Sequence, residues 1–220
     1  MIRIGVVLSG CGVYDGSEIH EAVLSLLAIA KAGAEAVCMA PDTEQMHVIN
    51  HFSGQTEDGQ PRNVLVESAR IARGQILDIA TVKADDIDAL VIPGGYGAAK
   101  NLCDFAVAGA DCTVNQQVQR LVKEMLTAGK PLAAICIAPA MLAKILGQQQ
   151  PPVMLTIGTD KDTAATLDTM GVKHVACPVN EVVVDKQRKI VTTPAYMLAD
   201  NIAQVAVGIE KAIQRMLKLR

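Results

Sequence analysis

The sequence predicts an α/β protein: a mostly parallel sheet covered by helices. Three observations carry this. Short apolar runs at residues 4–8, 89–92 and 132–135 have no polar face, as strands buried on both sides do not. Segments with helical periodicity, opened by capping residues and closed by glycine, alternate with those runs. The chain is 50% apolar but only 2% aromatic, so its core is Ala, Val, Ile, Leu and Met, which suits helices packed on a parallel sheet.

The elements follow in order. Residues 4–8 form the first strand, and Ser9-Gly10-Cys11-Gly12-Val13-Tyr14-Asp15-Gly16 a glycine-rich turn. Ser17 is the expected N-cap of a helix over 18–32 that Gly33 ends. Residues 35–40 form the second strand, closed by Pro41-Asp42, which completes a βαβ unit. Residues 43–62 are polar and turn-rich, a long loop or hairpin excursion. A short helix is expected over 63–70. The strand at 89–92 runs into Pro93-Gly94-Gly95-Tyr96-Gly97. A helix over 114–128 stops at Gly129, the strand at 132–135 leads to Cys136, and a helix over 138–146 ends at Gly147. A strand at 154–157 and a short helix over 164–170 follow. Residues 182–185 and 189–192 alternate around Lys186-Gln187-Arg188, an antiparallel pair near a sheet edge. A long helix over 196–217 closes the chain. At 220 residues, with no repeats or linkers, a single domain over 1–220 is expected.

Composition narrows the function. A net charge of −3 without a basic cluster argues against a nucleic-acid surface, and so few aromatics cannot build a base-stacking platform. No apolar run approaches the roughly 20 residues that span a bilayer. The six cysteines form no CxxC pair, and the first residues look like a strand rather than a leader. Reduced thiols in the cytoplasm are therefore expected.

Cys136 is the leading candidate. It stands where an apolar run stops and a proline-containing helix begins, the layout of a nucleophile elbow. A helix N-terminus behind it is expected to lower the thiol pKa. The ordinary alternative is a small buried hydrophobe. Both glycine-rich turns also lie at carboxyl ends of strands, where ligands bind in open α/β sheets. Glu18 and Glu21 share one face of the first helix. Glu18 reads as a solvated carboxylate. Glu21 is a turn deeper among apolar residues and could share a proton with the thiol. The N–H groups of Gly95 and Ile137 are the natural oxyanion donors. Gly10-Cys11-Gly12 lacks the third glycine of a dinucleotide loop, and no P-loop is present. His47 and His51 have a metal-compatible spacing but no obvious third ligand, so no metal is expected. His20 is expected to point away from Glu21, and Cys11 is a minor redox candidate.

With these residues in hand, the chain resembles the class I glutamine amidotransferase-like superfamily. The nearer branch holds the Parkinson-disease-linked deglycase and the archaeal intracellular protease, and within it the isoprenoid-biosynthesis glyoxalases are most similar. The motifs are residues 4–21, Val91-Ile92-Pro93-Gly94-Gly95-Tyr96-Gly97 with its continuation to Leu102, Cys136-Ile137-Ala138-Pro139-Ala140-Met141-Leu142, and Val191-Thr192-Thr193-Pro194-Ala195-Tyr196-Met197-Leu198-Ala199. The resemblance implies a flavodoxin-like three-layer αβα sandwich and a cytoplasmic, cofactor-independent glyoxalase activity on glyoxal. It places the nucleophile on Cys136, the buried glutamate on Glu21 and the oxyanion donors on Gly95 and Ile137. It also implies a small aldehyde substrate and a homodimer. No His-x-Glu lies near the C-terminal end, and Ile137 stands where the protease branch carries histidine. Glutaminase and protease activities are therefore not expected, and a third catalytic group is unassigned. The alternative function is a redox sensor or interaction factor of isoprenoid metabolism.

Overall fold

The computed structural model describes residues 1–220. Strands β1 (Arg3–Val7), β2 (Glu35–Ala40), β3 (Leu77–Asp78), β4 (Ala89–Ile92) and β5 (Leu132–Ile135) belong to one seven-stranded sheet. Strands β6 (Met154–Leu155) and β7 (Lys173–His174) pair with each other in a separate parallel sheet. Strands β8 (Val183–Asp185) and β9 (Ile190–Thr193) complete the main sheet, whose order is β3-β2-β1-β4-β5-β9-β8. Only β8 is antiparallel to its neighbour, and it occupies one edge. The helices are α1 (Ile19–Lys31), α2 (Val64–Ile71), α3 (Tyr96–Lys100), α4 (Phe105–Ala108), α5 (Gln116–Thr127), α6 (Ala138–Leu146), α7 (Lys161–Thr169) and α8 (Ile202–Leu217).

The period of two along each strand divides the core in two. Ile4 and Val6 of β1, Val91 of β4, and Ala133 and Ile135 of β5 pack with Ile29 of α1, Val64 of α2, and Val205, Ile209 and Ile213 of α8. Val7, Leu90, Ile92, Leu132 and Ala134 point to the other face, where Leu121 and Met125 of α5, Met141 and Leu142 of α6, and Leu167 of α7 cover them. The result is the expected flavodoxin-like αβα sandwich, antiparallel edge pair included. Because β4 returns to lie beside β1, a switch point falls between them, and the parallel β1, β4, β5 and β9 bring their carboxyl ends to the same end of the sheet around it.

Several expected boundaries move, each for a local reason. Glu18, not Ser17, caps α1: its side chain accepts the Glu21 N–H at 2.7 Å. The Ser17 hydroxyl instead accepts the Ser9 N–H at 2.9 Å. The expected helix over 196–217 begins only at Ile202, where Asn201 caps the N–H groups of Ala203 and Gln204. Residues Ala195–Met197 form a separate short 3-10 turn. The strand expected at 154–157 stops at Leu155, and the short β3 and β7 carry too little periodicity to be seen in sequence. The 43–62 segment is held against the first turn and the end of α3: Asp15 Oδ2 accepts the Ile49 N–H at 2.8 Å, and Asn101 Oδ1 accepts the Met46 N–H at 2.9 Å. Antiparallel bridges join Glu44 to Asn63 and Ile49 to Thr56.

Candidate active site

Cys136 leaves β5 with φ of 62°, a left-handed conformation that a side-chain-bearing residue adopts only under constraint. The constraint is visible on both sides. Its N–H donates to Thr193 O of β9 at 2.9 Å, and α6 starts two residues later with Pro139 in its first turn. This is the sharp strand-to-helix turn of a nucleophile elbow, and it aims Cys136, 7% exposed, into a cavity.

Glu21 arrives from α1 and is fully buried. Its Oε2 accepts the Gly94 N–H at 3.0 Å, and its Oε1 accepts the Tyr196 N–H at 3.1 Å. The end of β4 and the turn after β9 thus grip the two oxygens of one carboxyl group. Glu21 Oε2 and Cys136 Cβ both crowd the same face of Gly94, so the structure brings these two expected residues together. The N–H groups of Gly95 and Ile137 face the Cys136 sulfur, and neither donates to a backbone carbonyl. The fit depends on Gly94, where a Cβ would meet Cys136 Cβ and lie 2.7 Å from Glu21 Oε2. Gly95 has φ of 93° and abuts the backbone of residues 16–18, which no larger residue could do.

Burial pushes the Glu21 carboxyl up to about 8, against the opposing pull of its backbone N–H partners. Burial and the neighbouring Glu21 charge also push the Cys136 thiol well above its ordinary range, opposed by the N–H groups of Gly95 and Ile137. The expected lowering by the α6 N-terminus is therefore corrected: desolvation and a carboxyl neighbour outweigh the helix end. Of the two groups Glu21 gives up its proton first, and its charge then holds the proton on the thiol.

Glu18 is also corrected. It is 9% exposed, not solvated, and lines the cavity; only its Oε2 has a protein partner. His20 Nδ1 lies 2.7 Å from Tyr196 Oη at the exposed rim. Sequence reasoning placed Tyr196 inside a helix and so missed it; Pro194 and the left-handed Ala195, φ 44°, are what turn it into the site. His51, one of the two histidines weighed for a metal, accepts the Tyr14 N–H through Nε2 at 3.2 Å, and its Nδ1 lies 3.0 Å from Ile49 O. No group of three or more His, Cys, Asp and Glu is arranged to hold a metal. No helix is long and apolar enough to cross a membrane.

The sequence profile of the DJ-1/PfpI family matches residues 13–197. A human protein, glutamine amidotransferase-like class 1 domain-containing protein 3, mitochondrial, is 46% identical over 99% of this chain and 83% of its own length. The zebrafish ES1 protein, mitochondrial, is 33% identical over 89% of this chain and 77% of its own. Among solved structures, an isoprenoid biosynthesis protein with an amidotransferase-like domain from Ehrlichia chaffeensis superposes with a TM-score of 0.92 at 38% identity, covering 100% of this chain and 99% of that one. Drosophila melanogaster DJ-1beta, at 18% identity and a TM-score of 0.58, shares the fold. The names of the human, rat and zebrafish relatives all place them in mitochondria, which overturns the expectation of a cytoplasmic protein. That expectation rested on unpaired cysteines, and reduced thiols do not distinguish one reducing compartment from another.

Proposed function

The chain belongs to the DJ-1/PfpI family, and from that premise we propose that it is a cysteine-dependent glyoxalase, converting 2-oxoaldehydes such as glyoxal to 2-hydroxy acids without added cofactor. Members of the family often act as enzymes. The observation that carries the reading is the buried Glu21 carboxyl group set beside Cys136 at the elbow, with two N–H groups that have no backbone acceptor. The likeness to the Ehrlichia isoprenoid biosynthesis protein with an amidotransferase-like domain supports a link to isoprenoid metabolism.

The chemistry follows from the arrangement. The reacting form has lost one proton, that of Glu21; as sulfur attacks, the carboxylate takes the thiol proton, so that sulfur acts as thiolate and Glu21 becomes the acid. Sulfur bonds to the aldehyde carbon as its C=O π bond breaks, and the oxygen takes the Glu21 proton, giving a hemithioacetal. Gly95 and Ile137 N–H groups face the sulfur, two bonds from the oxygen that develops charge as the bond forms. Glu21, now a carboxylate, removes the C1 proton and returns it to C2 through an enediol, while the C1 hydroxyl proton passes to the C2 oxygen. C1 is oxidised to a thioester while C2 is reduced to a carbinol, so no external electron carrier is needed. Water adds its hydroxyl to the acyl carbon, Glu21 takes the remaining proton, and the thiolate leaves.

The same pair could hydrogen-bond an oxidised sulfur, the basis of a redox-sensing reading. A buried thiol held protonated reacts slowly with peroxide unless a base takes its proton. Turnover of glyoxal to glycolate by purified protein without added thiol tests the proposal; full activity in Cys136→Ala would overturn it. We also propose a homodimer. Ile19, Val23 and Leu27, at helical spacing along α1, are 43%, 48% and 47% exposed and form an apolar stripe.

A further inference from the structure

Cys136 opens into a cavity of about 360 Å³. That volume falls within the range of sites that enclose drug-sized ligands, about 300–1,000 Å³. A two-carbon dialdehyde at the sulfur would leave most of it empty. The walls beyond the sulfur are apolar, supplied by Val13, Ala99, Phe105, Ala106, Ile137 and Met197. They come from the first turn, α3, α4, the elbow and the turn after β9, so the apolar lining surrounds the space rather than flanking one side.

The polar groups are as selective as the apolar ones. No lysine, arginine or histidine lines the cavity. Its one acidic wall residue is Glu18, and the second oxygen of that side chain has no protein partner. An anionic substrate would meet an acidic group and no base to compensate it. Hydroxyl-bearing Tyr96, Thr163 and Tyr196 supply neutral donors and acceptors.

We propose that the substrate class proper to this site is a neutral 2-oxoaldehyde bearing an apolar group of about phenyl or branched-alkyl size, rather than bare glyoxal or any anionic carbonyl compound. This rests on the glyoxalase reading and deepens it. The reacting carbons sit at Cys136 and Glu21, and the apolar substituent fills the space between Phe105 and Met197. Phenylglyoxal would then yield mandelate by the same balanced steps, water being the only co-reactant.

The test is a series of kcat/KM values for glyoxal, methylglyoxal, phenylglyoxal and 4-carboxyphenylglyoxal, each corrected with Cys136→Ala. Phenylglyoxal is expected to exceed glyoxal by at least about tenfold, the discrimination an apolar pocket gives for a well-filled group. Its carboxylated analogue is expected to fall about tenfold below it, and Glu18→Gln to narrow that gap. Ala106→Leu, which crowds the cavity from its exposed rim, should lower the phenylglyoxal-to-glyoxal ratio. Glyoxal equal to or better than phenylglyoxal would overturn the substrate class while leaving the glyoxalase reading intact. If no 2-oxoaldehyde is turned over in a Cys136-dependent way, the glyoxalase reading fails instead. Alkylation then decides the cavity inference: benzyl alcohol, but not phenylacetate, should slow the reaction of Cys136 with iodoacetamide. Equal protection by the two, or none, would overturn it.

Discussion

Replacing Glu21 by glutamine should flatten the pH dependence of stability while abolishing turnover. The folded protein holds the Glu21 proton to about pH 8, whereas an unfolded chain releases it near 4.5. A carboxyl group whose folded value is raised gives its full stability contribution below the unfolded value and loses it as pH rises through the folded one. At about 1.4 kcal/mol per pH unit, the wild type should lose roughly 3–4 kcal/mol relative to Glu21→Gln between pH 5 and pH 8. The amide keeps one acceptor for the N–H groups of Gly94 and Tyr196 and turns its NH2 toward the other. That mismatch costs about 1–3 kcal/mol, but equally at every pH, so the slope isolates the proton. The Cys136 thiol titrates above this window and leaves the comparison undisturbed. Urea unfolding of both proteins at pH 5, 6.5 and 8 measures the difference. A gap that stays constant from pH 5 to 8 would refute the assignment of a buried, proton-retaining carboxyl group.

Gly94→Ala should destabilise the protein by about 1–3 kcal/mol, the usual cost of overpacking. It should also remove most turnover, because the new methyl group presses on Cys136 and Glu21 together; denaturant midpoints and initial rates report the two effects. Cys136-dependent kcat/KM should rise with pH to a plateau above about 8, where the pair has lost its first proton; a profile flat from pH 6 to 9 would contradict the reacting form proposed. Val23→Glu, placed mid-stripe on α1, should shift the protein to monomer in light scattering at micromolar concentration, whereas an unchanged mass would remove that face from the interface.

The longer strands at the centre of the sheet were legible because they are buried on both sides and bounded by glycine or proline. The segments Glu35–Ala40, Ala89–Ile92 and Leu132–Ile135 needed no tertiary information. Cys136 was legible as an elbow for the same reason, since the run before it and Pro139 after it leave room only for a tight turn. Tyr196 was not. Its surroundings have helical composition, and what holds it is a hydrogen bond to a carboxyl group on α1, far away in sequence. The thiol's pKa was misjudged because the helix end is visible in sequence and the depth of burial is not. Glu18 was misread likewise: the covering walls come from α3, α4 and the last turn, which no local pattern connects to α1.

The hydrogen bond from Tyr196 N–H to Glu21 also has a temporal meaning. It joins the first helix to a turn that a ribosome makes after every strand of the sheet. Cys136 leaves the ribosome earlier, before β9 exists to hold its N–H and before Tyr196 can hold the glutamate. A growing chain therefore carries a thiol without its proton partner fixed in place. Reactivity toward small carbonyls should switch on late in synthesis, when the final strand docks between β5 and β8.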